Sequence, residues 1–176
     1  MKKLLAVTMC ISTLGLIACS DNKTTSNENM GKTEVTAVQK ISYSENTPKD
    51  IKSDLEKIQN LSNDKAQEAL KFQTEITEAL QKGNISGLKN VVDHLKTYTK
   101  DFNSSLDKLE LKSSEVNKIR DDMKAVNLIS VELAETGMKT PPDIEKIQAI
   151  QQKSVEAQQK LLQDMQTAQK QASSVN

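Results

Sequence analysis

Aromatic side chains and histidine are nearly absent from this 176-residue chain. It has no tryptophan, two phenylalanines, two tyrosines and one histidine. Catalytic and metal-binding sites rely heavily on histidine and cysteine, so this composition supplies little material for them. Arg120 is the single arginine, which weakens the case for binding phosphate groups. We therefore expect neither an enzyme nor a nucleic-acid-binding protein.

Cysteine is equally scarce, and its positions are informative. The two cysteines are Cys10 and Cys19, so the chain beyond residue 19 has no disulfide and no thiol nucleophile. Its stability must come from packing. Lysine, glutamine, glutamate, leucine, alanine and isoleucine dominate that part of the sequence. This usage favours helices and disfavours an all-β fold.

A secretory leader opens the chain. Met1, Lys2 and Lys3 form a short basic start, and residues 4–18 are mostly apolar and uncharged. This run is shorter than the roughly 20 apolar residues of a membrane-spanning helix, and polar residues interrupt it. We predict that residues 1–18 are a signal peptide.

The end of this leader carries a lipid-attachment pattern. Leu16-Ile17-Ala18-Cys19 resembles the lipobox of bacterial lipoproteins, and the resemblance covers only the first 19 residues. It implies cleavage between Ala18 and Cys19, a diacylglycerol on the Cys19 sulfur, and a further acyl chain such as palmitate on the new amino terminus. Each buried CH₂ contributes about 0.8 kcal/mol, so two or more chains anchor stably. The alternative is an ordinary secreted protein in which Cys19 has no such role.

The resemblance also bears on location. In lipoproteins an aspartate directly after the lipidated cysteine favours the inner membrane, whereas here Ser20 follows Cys19. The resemblance thus implies the outer membrane, facing the periplasm or the cell surface. Losing Lys2 and Lys3 with the leader lowers the 24 basic residues to 22 against 24 acidic ones, a net charge of −2. The expected partner is a lipid bilayer, reached through the acyl chains, and not nucleic acid.

A disordered, flexible tether is predicted for residues 19–46, which are rich in serine, threonine, asparagine and lysine. About 27 such residues have a root-mean-square reach of about 25–30 Å. Val35, Ala37, Ile41 and Tyr43 follow a period of two. This pattern is typical of a short strand that pairs with a partner, and the alternative is a disordered linker or a segment that lies against the bundle.

The helical domain is predicted over residues 47–173. Thr47 is the expected N-cap of the first helix and Pro48 its first residue. We predict one long helix that ends at Gly83 as a left-handed C-cap. The apolar register slips at residues 62–64, where a break is the alternative. The inward residues of this helix are Ile51, Leu55, Ile58, Ala66, Ala69, Phe72, Ile76 and Leu80.

Three further apolar stripes follow at helical spacing. Ser86 is expected to cap the second helix, and Ser113 and Ser114 to begin the third. A Thr-Pro-Pro-Asp sequence from Thr140 predicts the start of the fourth, with Thr140 as its cap. The inward residues of the second helix are Leu88, Val91, Val92, Leu95, Tyr98, Thr99, Phe102, Leu106 and Leu109. Those of the third are Val116, Ile119, Met123, Val126, Ile129 and Leu133, and those of the fourth are Ile144, Ile147, Ile150, Val155, Leu161, Leu162, Met165 and Ala168.

These patterns predict an all-α fold, an antiparallel up-down bundle of four helices with coiled-coil-like packing. The first and fourth helices, about 35 and 32 residues long, are longer than the middle pair of about 23 residues by roughly 15 Å. The first helix starts where the fourth one ends. We therefore predict a two-helix extension near residues 51–58 and 162–172.

Three functions remain open. A non-enzymatic helical module could bind or support an envelope component. A periplasmic carrier of a small ligand, haem or metal would need ligands, and His94 with Met123, Met138 or Met165 has no supporting spacing. An enzyme would depend on His94. We expect the first, with no catalytic residue, cofactor or metal.

The fourth helix is the most unusual element because glutamine makes it polar on nearly every side. It is either a solvated outer helix or a surface that pairs with another helix, from a second copy or from a protein partner. Its glutamines are Gln148, Gln151, Gln152, Gln158, Gln159, Gln163, Gln166, Gln169 and Gln171.

Overall fold

The computed structural model describes residues 42–82 and 85–174. The predicted signal peptide, Cys19 and Gly83 lie outside these residues. Within them the chain forms four α-helices and one isolated parallel β-bridge. Of the helices described, none has the length and hydropathy that are needed to cross a bilayer.

The helices are α1 (Pro48–Gln81), α2 (Ile85–Asp107), α3 (Ser114–Gly137) and α4 (Ile144–Ala172). Helices that follow each other along the chain pack against each other, and side-chain pairs link them in antiparallel order. The all-α helical bundle is therefore confirmed. The first and fourth helices are the longest, with 34 and 29 residues against 23 and 24.

Helix α1 is continuous through residues 62–64, so the alternative of a break there is wrong. The Ser62 hydroxyl donates a hydrogen bond of 2.8 Å to the Ile58 carbonyl oxygen one turn earlier. Such a bond lets a serine remain inside a helix instead of starting a new one. At the start of α1, the Thr47 hydroxyl donates to the Glu45 carbonyl oxygen at 3.3 Å, while the Thr47 carbonyl accepts from the backbone of Asp50.

The predicted starts of the next two helices had different outcomes. Helix α2 begins at Ile85, so Ser86 is its second residue and not its N-cap. Ser113 caps α3 as predicted, since its hydroxyl oxygen accepts a hydrogen bond of 3.2 Å from the Val116 N–H. This bond satisfies one of the free donors at the helix start.

The predicted cap of α4 is wrong by three residues. Asp143, not Thr140, is the N-cap, and its carboxylate accepts a 2.9 Å hydrogen bond from the Lys146 N–H. Two prolines stand between Thr140 and Asp143, and a residue before a proline is disfavoured in helical conformation. Thr140 and Pro141 each precede a proline, so both are disfavoured inside the helix, and Asp143 lies beyond them in place to cap it.

The main hydrophobic cluster lies at the end of the bundle where α1 and α3 begin and α4 ends, which we call the base. The predicted two-helix extension at this end is wrong, because α3 and the connection before it pack between α1 and α4. Lys124 of α3 pairs with Asp107, the last residue of α2, at 2.5 Å, so α3 reaches well beyond α2. The buried cluster consists of Ile51, Ile58, Leu111, Val116, Ile119, Leu161, Met165 and Ala168.

Helix α2 packs beside this core. It contacts α1 and α3, but among the described residues it does not contact α4. The Phe72 ring meets the Tyr98 ring edge-on, with centroids 5.2 Å apart, and Tyr98 meets Phe102 at 5.9 Å. Three of the four aromatic side chains of the sequence therefore join α1 to α2.

Candidate functional site at the base

The most unusual feature of the base is a buried carboxylate. Asp54 of α1 is 0% exposed, and its Oδ2 accepts hydrogen bonds from the backbone N–H groups of Lys112 (2.6 Å) and Ser113 (2.8 Å). Its Oδ1 lies 2.9 Å from the Lys57 ammonium. The Lys57 ammonium also donates to the Glu110 carbonyl oxygen at 2.5 Å. One carboxylate thus fastens α1 to the connection that leads into α3.

The ionised form of Asp54 is stabilised by these contacts. Burial alone raises the pKa of this carboxyl, but the Ser113 N–H, the Lys57 ammonium and the Lys112 N–H outweigh burial. The pKa of Asp54 therefore lies below its ordinary value. Because each carboxylate oxygen already has a donor, the group is suited to holding structure and not to exchanging protons with a substrate.

The chain that precedes α1 lies against this same connection. Ser44 forms a parallel bridge with Ser113: the Ser44 N–H donates to Lys112 O at 2.7 Å, and the Ser114 N–H donates to Ser44 O at 2.9 Å. The Asn46 N–H donates to a Glu115 carboxylate oxygen at 2.7 Å. Residues 42–46, which fall in the range predicted as tether, therefore dock on the start of α3. We call them the docking segment.

Arg120 completes this arrangement from α3. One terminal nitrogen donates to the Leu109 carbonyl oxygen at 3.2 Å, and the other to the Tyr43 hydroxyl at 3.3 Å and to Asn117. Tyr43 itself packs against the buried cluster of the base. The single arginine of the chain thus joins the docking segment and α3 to the connection that follows α2.

The other residues considered from the sequence lie apart from the base or from one another. His94 is on the exposed surface of α2, where its Nδ1 is 3.4 Å from a Glu75 carboxylate oxygen. Met165 is buried in the base and Met123 packs against it, whereas Met138 caps the far end of α3. The fold therefore does not bring His94 together with Met123 or Met165.

An open groove of about 440 Å³ lies between α2 and α3 beside Lys96, Lys100 and Leu128. The described residues contain no group of three or more histidine, cysteine or acidic side chains placed to hold a metal ion. Cys19 and Ala18 lie outside the described part of the chain, so lipid attachment stays a prediction.

The sequence analysis missed Asp54, although the sequence contains a signal for it. Ile51, Leu55 and Ile58 define the inward stripe of α1, and Asp54 is one turn from each of the two isoleucines. A charged residue at an inward position requires buried partners. Those partners are backbone groups 58 and 59 residues away, which sequence spacing does not indicate.

The fold and its docking segment define a class of protein: a helical bundle whose preceding chain is fixed to its base. The particular family follows from comparison with known families. The model of the family described as "Uncharacterised lipoprotein PM1805" matches residues 52–173, and this chain belongs to that family. No curated protein and no solved structure matches the chain.

Proposed function

We propose that this lipoprotein is a non-enzymatic module anchored to the envelope. Acyl chains on Cys19 hold it to a bilayer, and the helical bundle supports or binds another envelope component. Membership of a lipoprotein family supports the anchor, as does the lipobox-like sequence that ends at Cys19. Ser20, in place of an aspartate directly after Cys19, favours the outer membrane.

The observation that carries this proposal is the docking segment. It connects the predicted anchor to the fold through two backbone hydrogen bonds, at 2.7 and 2.9 Å, on either side of Ser44. Tension on the chain at Ser42 is transmitted to α3 as well as α1. Unravelling α1 from its first residue would require breaking the bridge to Ser113 first. This attachment is suited to a domain that works while it is held to a membrane.

The reach of the anchor follows from chain length. Residues 20–41, which number 22, separate Cys19 from the docking segment. At no more than about 3.5 Å per residue, these span at most about 80 Å. The bundle can therefore meet partners close to the bilayer, within a shell set by that length.

The non-enzymatic part of the proposal is supported by how the ionisable groups are used. Asp54 is held by backbone donors, and Lys160 of α4 pairs with Asp122 of α3 and with Asp164 one turn further along α4. Burial raises the pKa of Asp164, but the Lys118 and Lys160 ammonium groups outweigh it and leave the pKa below its ordinary value. The lowered pKa values favour the ionised forms of Asp54 and Asp164, and each of these carboxylates joins α3 or the connection before it to another helix.

Replacement of Cys19 tests the anchor. The Cys19→Ala chain should incorporate no radiolabelled palmitate and should remain an uncut precursor, because no sulfur remains to accept the diacylglycerol. The Cys10→Ala chain is the matched control and should be labelled and fractionate like the unchanged protein. Labelling of the Cys19→Ala chain at the control level would overturn the proposal.

A further inference from the structure

Helix α4 carries an exposed apolar line along its length. Ile144, Val155 and Leu162 are 44%, 53% and 45% exposed. They are separated by 11 and 7 residues, which are close to three and two helical turns, so they lie within about 20° of one another around the helix. Four glutamines share this line. We call the whole set the seam: Ile144, Gln148, Gln151, Val155, Gln158, Leu162 and Gln169.

The seam has the spacing of a helix–helix contact. Its first six positions alternate steps of four and three residues, which is the repeat by which one helix packs against another. No seam position is charged, although 27% of the chain is charged. Two lysines of α4 pair with α3 away from the seam: Lys146 with Glu132, and Lys160 with Asp122. Glutamine at some contact positions is compatible with pairing, since polar residues there set register at a cost in stability.

The two ends of the seam are complementary to each other. Glu145 in the first turn of α4 and Lys170 in the last turn lie on the same flank of the seam, within about 20° of each other around the helix. In an antiparallel pair of identical helices, like flanks face each other. Glu145 of each copy then meets Lys170 of the other copy, and the helix dipoles oppose. In a parallel pair opposite flanks face each other, so Glu145 would not meet Lys170.

Glu156 lies on this flank near the middle of α4, further round the helix from the seam. Its carboxylate accepts a 3.0 Å hydrogen bond from the Gln152 side chain. In the antiparallel pair the two copies of Glu156 lie on facing flanks, so one pair of like charges stands against two Glu145–Lys170 pairs of opposite charge. The end-to-end charge pairs therefore decide the direction of pairing.

We propose that the seam binds the seam of a second copy of this chain, with the two α4 helices antiparallel and fully overlapping. A helix of 29 residues is about 44 Å long and about 10 Å wide, so each copy contributes about 440 Å². Stable interfaces bury about 800 Å² per partner, so this contact is weak in solution. Confinement of both copies to one membrane raises their effective concentration and favours the pair, a step that rests on the proposed anchor.

Mixed disulfide formation tests the antiparallel arrangement. Full-length chains with Ile144→Cys and chains with Gln169→Cys are expressed together, and isolated membranes are treated with a mild oxidant. The mixture should give a disulfide-linked dimer because these positions face each other across the seam. Either variant alone should stay monomeric, since its two cysteines lie about 37 Å apart in the antiparallel pair and a disulfide needs Cα atoms within about 7 Å. Lys153→Cys, on the opposite side of α4, should also stay monomeric.

A charge placed on the seam tests the contact itself. Val155→Lys in both members of the mixture should lower the yield of mixed disulfide about tenfold, because it places two ammonium groups in the uncharged contact. Thr167→Lys adds the same charge on another side of α4 and should leave the yield unchanged. Circular dichroism of both variants should match that of the unchanged chain.

Palmitate labelling of the same membranes separates this inference from the anchor. Labelled chains without the mixed disulfide, or a dimer from Ile144→Cys alone, would overturn the antiparallel seam. A mixed disulfide between unlabelled chains would support the seam and overturn the anchor, and chains with neither would overturn both. The labelled, unsubstituted chain has no free thiol and should remain monomeric under the oxidant.

Discussion

Replacement of Asp54 should destabilise the protein more than replacement of any exposed acid. In Asp54→Ala the backbone N–H groups of Lys112 and Ser113 lose their acceptor at a buried site. Each buried donor left without a partner costs about 1–3 kcal/mol, so we expect a loss of about 3 kcal/mol in the free energy of unfolding. Asp54→Asn keeps one acceptor oxygen but turns an amide NH₂ toward the Lys57 ammonium, and should lose about half as much.

Urea unfolding followed by helical circular dichroism measures these losses. The midpoint should fall while the dependence on urea concentration stays constant, which identifies a change in stability. Asp121→Asn is the matched control, since Asp121 is exposed on α3, and it should change stability by less than about 0.5 kcal/mol. An Asp54→Ala chain as stable as this control would refute the reasoning.

The unchanged chain and the Asp54→Asn chain should respond differently to acid. Because the pKa of Asp54 is lowered by folding, its ionised form stabilises the fold above the unfolded value of about 3.8. This stabilisation is lost as the pH falls through the lower pKa of the folded state. The stability difference between the unchanged chain and Asp54→Asn should therefore be full near pH 7 and shrink below about pH 3.8. A difference that stays constant over this range would show that the carboxylate charge does not contribute.

Two matched pairs test other parts of the fold by the same urea assay. Leu161 is buried in the base and Leu162 is 45% exposed, so Leu161→Ala should cost about 2–5 kcal/mol and Leu162→Ala less than about 0.5 kcal/mol. Similar losses for the two would contradict the assigned core. Asp143→Ala should cost about 1 kcal/mol through its lost cap, whereas Thr140→Ala should be nearly neutral. A larger loss from Thr140→Ala would restore the cap predicted from sequence.

The helices could be predicted from sequence because their signals are local. Apolar spacing, the cap at Ser113 and the two prolines after Thr140 lie within a few residues of the features they specify. Continuity of α1 through residues 62–64 was less clear, since the apolar register slips there. In the structure the Ser62 hydroxyl donates a hydrogen bond to the preceding turn. A serine at the end of a broken helix can form the same bond, so the sequence alone did not distinguish the two.

The packing at the base could not be predicted because it depends on the axial offset between the helices. Helix lengths alone suggest that α1 and α4 project as a pair beyond the ends of α2 and α3. Asp107, the last residue of α2, lies beside Lys124, ten residues into α3, so α2 ends short of the base and the start of α3 covers it. The docking segment likewise depends on contacts between Ser44 and Ser113, which are 69 residues apart. Sequence spacing carries no information about such separations.

The central claim, a bundle held to the envelope through Cys19, is tested most directly by mass spectrometry of the native protein from membranes. The account predicts that the amino-terminal residue is Cys19, with the mass of a diacylglycerol on its sulfur and of a further acyl chain on its nitrogen. A native chain whose Cys19 thiol is unmodified would contradict it.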